Sequence, residues 1–193
     1  VYLTQTEDDR LGNGTGVLVM RNAPSSNGGT SIGSASAVIN EDLAPSLAGN
    51  RYEISYSGVL CPRDAAVINN PTNVVSWYHS FSLGGAGGNP GEPNQAGADL
   101  GFLIEWDGTA KVFADGTLLG SKVVPGIAAA FNAPFDVVLQ IDEVSMSASV
   151  SVEVGGALTE VGTFAFDFDE GETARRLQFH HRLHTDGLPD NPG

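Results

Sequence analysis

Apolar and polar residues alternate most clearly between Phe135 and Gly156. Phe135, Val137, Leu139 and Ile141 interleave with Asp136, Gln140 and Asp142, and then Ala148, Val150, Val152 and Val154 interleave with Ser149, Ser151 and Glu153. Successive side chains of a strand point to opposite faces, so each run has one apolar and one wet face. The five residues from Glu143 to Ser147 are enough to fold the second run back on the first, which predicts an antiparallel hairpin. Two strands alone are marginal in water, so the apolar face of this ribbon requires a second layer from the rest of the chain.

The same period recurs elsewhere. Tyr52, Ile54 and Tyr56 share one face of RYEISYSGVLC, and Val75, Trp77, His79, Phe81 and Leu83 share one face of VVSWYHSFSL. DGT occurs at Asp107–Thr109 and at Asp115–Thr117, each between strand-like residues, and Asp-Gly suits tight hairpin turns, so a three-strand meander is expected there. Phe164, Phe166 and Phe168 are expected inward, and ARRLQFHHRLH reads as a last strand with Leu177, Phe179, His181 and Leu183 inward. Shorter strands are expected at VYLTQT, at Val17 to Met20 and at Ser34 to Asn40. The pattern predicts an all-β fold: a two-sheet antiparallel β-sandwich with at most one short helical turn near 125–131, where Pro125 opens PGIAAAF. Residues 1–184 are expected to form a single sandwich domain, with 185–193 a C-terminal tail or the start of a linker.

Composition narrows the partners. The chain has 193 residues and a net charge of −14, which argues against nucleic acid and against an acidic membrane surface, both of which need clustered cations. No apolar run is long enough to insert in a membrane. Gly is abundant at 25 residues while charged residues make up only 17%, a turn-rich balance that favours strands. The one cysteine, Cys61, cannot form an internal disulfide and reads as a small buried hydrophobe. The chain opens on Val1 without a charged-then-apolar leader, so a processed secreted product or a piece of a longer chain is expected.

Several motifs resolve to ordinary structure. GNGTG at Gly12–Gly16 lacks the lysine and the strand-to-helix setting of a phosphate loop and reads as a turn. His79, among Trp77 and Phe81, reads as a hydrogen-bonded core residue, the alternative being a catalytic base. The Gly84–Ala98 stretch, GGAGGNPGEPNQAGA, forbids helix and strand. It either lies over a binding face or is a plain excursion.

The run FLIEWDG followed by KVFADG, then FDVVLQID and the arm VSVEVGG, resembles the concanavalin A-like, laminin G-like jelly rolls, over roughly Tyr52 to Leu183. That resemblance implies an extracellular glycan-binding module, free or attached to a polysaccharide-degrading enzyme. Other members of this broad fold are hydrolases or lyases. The E-x-D-x-x-E motif of the hydrolytic branch and the RxExR and QIH motifs of the alginate-lyase branch are missing here. Glu105 and Asp107 resemble the metal-binding E-x-D of legume-type lectins, although Asp107 sits in a hairpin turn.

Candidate chemistry gathers on the last strand. Arg176, Gln178, His180, Arg182 and His184 form a donor-rich stripe opposite its apolar face, with Arg175 beside it. Guanidinium forks suit the hydroxyls, carboxylates or sulfates of a glycan. The alternative is cross-strand pairing with acidic neighbours such as Glu53 or Asp167. Tyr78 and Trp106 are the candidate stacking platforms for sugar rings. His180 and His184 stand roughly 13 Å apart along a strand and cannot share one ion. DFDEGE, Asp167 to Glu172, offers Asp167 and Asp169 as oxygen ligands for Ca²⁺, or is simply an acidic turn. Three function classes follow: a secreted, non-catalytic glycan-binding module; a surface or filament subunit that self-associates by adding the N-terminal VYLTQT strand to a neighbour; and a polysaccharide hydrolase or lyase, for which no recognisable acid and nucleophile pair is present.

Overall fold

The computed structural model describes residues 2–6, 17–21, 32–39, 43–59, 76–84, 93–105, 107–127, 134–169 and 173–184, with side chains at 2–6, 17–21, 32–39, 46, 59, 76–81 and 180–184 outside the description. In chain order the elements are β1 (Tyr2–Thr6), β2 (Val17–Arg21), β3 (Ile32–Ile39), α1 (Ala44–Leu47), β4 (Arg51–Val59), β5 (Ser76–Gly84), β6 (Leu100–Glu105), β7 (Thr109–Ala114), β8 (Thr117–Val123), β9 (Pro134–Asp142), β10 (Ser147–Val154), β11 (Ala157–Ala165) and β12 (Arg176–His184). They form a four-stranded sheet ordered β11-β10-β9-β4, a six-stranded sheet ordered β3-β12-β5-β6-β7-β8, and a separate β1-β2 ribbon. Every pairing is antiparallel. The predicted two-sheet sandwich is what the chain forms.

The β9–β10 hairpin sits at the centre of the smaller sheet. Phe135, Val137, Leu139, Ile141, Ala148, Val150 and Val152 are all buried, as the alternation requires. From the other sheet Leu83, Leu100, Phe102, Ile104, Ala110, Val112 and Leu177 meet them in one continuous core. Each Val, Leu, Ile or Phe side chain so removed from water contributes roughly 1.5–3 kcal/mol, and this term holds the layers together. Tyr56 of β4 and Phe179 of β12 cross between the sheets edge to face, with ring centroids 5.2 Å apart.

One feature departs from the sequence reading. Pro125–Ile127 form a turn, while the short helix is α1 at Ala44–Leu47, where Pro45 occupies the first turn and its missing N–H costs nothing. Residues 128–131 lie outside the described residues. The N-terminal strand pairs within its own chain, Tyr2 opposite Arg21 through Thr6 opposite Val17. Among the described residues no helix is long and apolar enough to cross a membrane.

Candidate functional site

The six-stranded sheet has an outer face as well as a core face, and strand alternation sorts its residues. Leu100, Phe102 and Ile104 enter the core, which turns Asp99, Gly101 and Leu103 outward. Leu177 and Phe179 pack on the core, which turns Arg176 and Gln178 outward. Register aligns Gln178 with Ser82 and Ser82 with Gly101, then Gly101 with Phe113, in one row across four strands. This row is covered: Gln178, Ser82, Gly101 and Phe113 are all buried. Pro93 is part of the cover, since a Cβ on Gly101 would stand 2.6 Å from the Pro93 Cα. The Ser82 Oγ is buried without a hydrogen-bond partner among the described residues.

One end of this face collects acid. The Asp115-Gly116 turn between β7 and β8 has positive φ at both residues, 46° and 72°, which is the geometry Asp-Gly favours. Its Asp115 N–H donates to the Ala98 carbonyl at 3.0 Å, holding the turn against the loop that leads into β6. Asp99 stands in that loop, and Asp169 ends the strap that follows β11. One carboxylate oxygen from each of Asp99, Asp115 and Asp169 lies within 4.8 Å of the others, Asp99 buried and the other two exposed. Burial first, then the charges of Asp169 and Asp167, push the Asp115 carboxyl above its ordinary value. Three hard oxygen donors so placed fit Ca²⁺ or a similar hard divalent cation. Arg176 joins this end by register, because it pairs with Gly84, the residue beyond Leu83, which itself pairs with Leu100.

The strap is anchored from its inner side. Phe168 turns under it, with the Arg175 guanidinium carbon 3.4 Å from the ring centroid. Arg175 is buried and forked onto Glu143, Nε to Oε1 at 2.8 Å and a terminal nitrogen to Oε2 at 3.1 Å. The same carboxylate accepts from the Tyr52 hydroxyl at 2.7 Å and from the Gly49 N–H at 2.8 Å. Burial pushes the Glu143 carboxyl up, but these donors outweigh it and hold the group below its ordinary value. Burial, reinforced by Glu143, pushes the Tyr52 phenol up. Arg175 is therefore a structural clamp within the sandwich, not a member of a surface stripe.

The predicted site residues separate into three groups. Arg176 reaches the acidic end, and Gln178 lies buried beside Ser82. His180 pairs in register with Ser80 and Ser36, Arg182 with Tyr78 and Ser34, and His184 with Ser76 and Ile32, so the stripe runs along an interior strand of the sheet. The side chains of Tyr78, His180, Arg182 and His184, and Trp106 altogether, lie outside the described residues. Of the two predicted cation ligands, Asp169 is in the cluster, while Asp167 accepts from the Phe168 N–H at 2.9 Å. Asp99 and Asp115 were missed. The DGT of Asp115 signals a turn whether or not its carboxylate has another task, and nothing local marks Asp99. The E-x-D pair is committed elsewhere: Glu105 binds the Lys111 ammonium at 2.6 Å, and Asp107 accepts from the Thr109 N–H at 2.8 Å.

Solved structures match this arrangement of sheets. Lectin II from Ulex europaeus shares 16% identity with a TM-score of 0.52, over 88% of this chain and 80% of that one. Lectin UEA-II complexed with galactose gives 16% and 0.53 over the same shares. Peanut lectin with a 9mer peptide gives 10% and 0.53, over 88% of this chain and 79% of that one. The fold is concanavalin A-like. No protein-family model matches the chain, and no curated protein does. Within this sandwich the acidic end is built from three segments, the loop before β6, the β7–β8 turn and the strap before β12.

Proposed function

We propose that this chain is a non-catalytic, extracellular glycan-binding module whose sugar docks at the acidic end of the six-stranded sheet. The observation that carries the reading is the Asp99, Asp115 and Asp169 trio, with one buried carboxylate, at the convergence of three loops on a lectin-type sandwich. These three oxygens would hold Ca²⁺, which would offset the repulsion among them. Carboxylates left partly open accept hydrogen bonds from sugar hydroxyls, and the Arg176 fork supplies donors beside them. From there the register rows of His180 with Ser80 and of Arg182 with Tyr78 extend a polar track for a longer chain, with Tyr78 and Trp106 as the stacking platforms. The galactose bound by UEA-II supports a sugar as the ligand class.

The test is calorimetric titration against a panel of neutral and anionic polysaccharides, in Ca²⁺ and in EDTA. One glycan class should bind in Ca²⁺, bind less in EDTA, and lose affinity on Asp99→Asn and Arg176→Ala with the fold retained. Absence of binding across the panel, or binding indifferent to both substitutions, overturns the reading. Release of new reducing or unsaturated ends overturns its non-catalytic part.

A further inference from the structure

Two of the three clustered carboxylates are set by the larger sheet. Asp99 stands immediately before β6 and Asp115 in the β7–β8 turn, and the Asp115 N–H ties the two segments together through the Ala98 carbonyl at 3.0 Å. Asp169 has no such support. Residues 166–169 lie beyond the end of β11 and join no ladder among the described residues; the Phe166 N–H, donating to the Met146 carbonyl at 3.2 Å, fastens only the near end of the strap. Like charges this close repel, so a contact outside the ladders must keep Asp169 beside Asp99 and Asp115.

That contact lies on the inner side of the strap. Phe166 and Phe168 turn toward the core, while Asp167 and Asp169 stay exposed. The two rings meet edge to face with centroids 5.5 Å apart, and the Arg175 guanidinium carbon stands over the Phe168 ring. Arg175 is itself fixed from several directions. Its Nε and one terminal nitrogen go to Glu143, its other terminal nitrogen to the Ala174 carbonyl at 2.9 Å, and its own carbonyl accepts from the Leu43 N–H at 3.0 Å. Guanidinium N–H bonds lie in the plane of the group, so these partners take its edges and leave a flat face of set tilt for the ring to rest on.

We infer that Arg175, on the reading of this end as a cation site, is a positioning residue: locked by Glu143, it holds the Phe168 ring and so keeps Asp169 with Asp99 and Asp115 against their mutual repulsion. It touches neither the three carboxylates' oxygens nor the ion, and acts through the residue next to Asp169.

Calorimetric titration with Ca²⁺ alone, at a temperature where far-UV dichroism shows each variant folded, separates positioning from stability. Phe168→Leu keeps apolar bulk but loses the ring face, and should raise the Ca²⁺ Kd about tenfold or more. Phe168→Tyr keeps the face and should bind as the parent chain does. Arg175→Lys retains a charge opposite Glu143 but has no planar face, and should weaken Ca²⁺ in the same way as Phe168→Leu. In an Asp169→Asn background Phe168→Leu should cost nothing further, because the group it acts through is gone. A Kd unchanged in Phe168→Leu and Arg175→Lys, or an equal loss in the Asp169→Asn background, overturns the positioning role and leaves the cation site standing. Failure of the parent chain to take up Ca²⁺ overturns both. Ca²⁺ uptake that follows these variants without any glycan binding upholds the positioning role and overturns only the sugar reading.

Discussion

Replacing Glu143 with alanine strands a guanidinium. Arg175 and Glu143 are both buried, and the carboxylate satisfies four donors from three segments: two on Arg175, the Tyr52 hydroxyl and the Gly49 N–H. Breaking a buried pair from one side costs about 3–5 kcal/mol, because the remaining charge stays desolvated without compensation. With a urea m-value of about 2 kcal/mol per molar, the midpoint should fall by about 1.5–2.5 M. The assay is urea unfolding followed by tryptophan fluorescence and far-UV dichroism. Arg51→Ala is the control: its pair with Asp142 is solvent-exposed and should leave the midpoint essentially unmoved. The pH dependence carries a definite sign. The Glu143 carboxyl is lowered in the folded chain from an ordinary 4.5, so its contribution is fully present above about pH 5 and is lost as pH falls through the lowered folded value. Glu143→Gln should flatten that acid limb. A Glu143→Ala midpoint shift no larger than that of Arg51→Ala, or an unchanged acid limb in Glu143→Gln, would refute the assignment of Arg175 as a clamp.

Leu139→Ala, at the centre of the hairpin, should cost about 2–5 kcal/mol by chemical denaturation, since Leu139 is fully buried against both sheets. Gly101→Val should lower thermal stability and weaken glycan binding together, because its side chain collides with the Pro93 backbone and lifts the cover from the row containing Ser82; an unchanged melting temperature would contradict that packing. Ca²⁺ at a hundredfold excess over its dissociation constant should stabilise by about 2.7 kcal/mol, raising the melting temperature by about 5–10 °C in calorimetry, an effect absent in Asp99→Asn. Asp115→Asn should instead raise the melting temperature in EDTA. Its carboxyl is raised by burial and by Asp169 and Asp167, so the charge opposes folding at neutral pH, and asparagine tolerates the positive φ there; a lower melting temperature counts against the cluster's geometry.

The parts of the fold legible in the sequence are those where neighbouring residues decide the outcome. Alternation at Phe135–Ile141 and Ala148–Val152 reports a strand with one buried face, and the hairpin follows from five intervening residues. Two Asp-Gly turns likewise report the β6–β7–β8 meander. Which strands become neighbours across the sheets is not local. The pairing of β4 with β9, and the placing of β12 between β3 and β5, depend on how whole faces fit, and no short window contains that information.

The site shows the same division more sharply, and the three consecutive residues Ala174, Arg175 and Arg176 show why. As a sequence, the two arginines are one basic pair ahead of a strand. In the fold the first turns into the sandwich, onto a glutamate 32 positions earlier, while the second begins the outward row of β12. Alternation predicts that they part company, and it fixes which one belongs with Leu177 and which opposes it. It does not reveal that the inward arginine meets a carboxylate, since Glu143 sits in a turn that reads as solvent-exposed. Asp99 and Asp115 illustrate the converse: each looks like loop chemistry, and it is the β6–β7 register, carried past Gly101 and Phe113 by the 3.0 Å bond from the Asp115 N–H to the Ala98 carbonyl, that sets them side by side. A cation or sugar site assembled this way is a property of the sandwich end, so it should survive changes within any one strand's pattern and fail when the strap, the turn or the β6 loop is displaced.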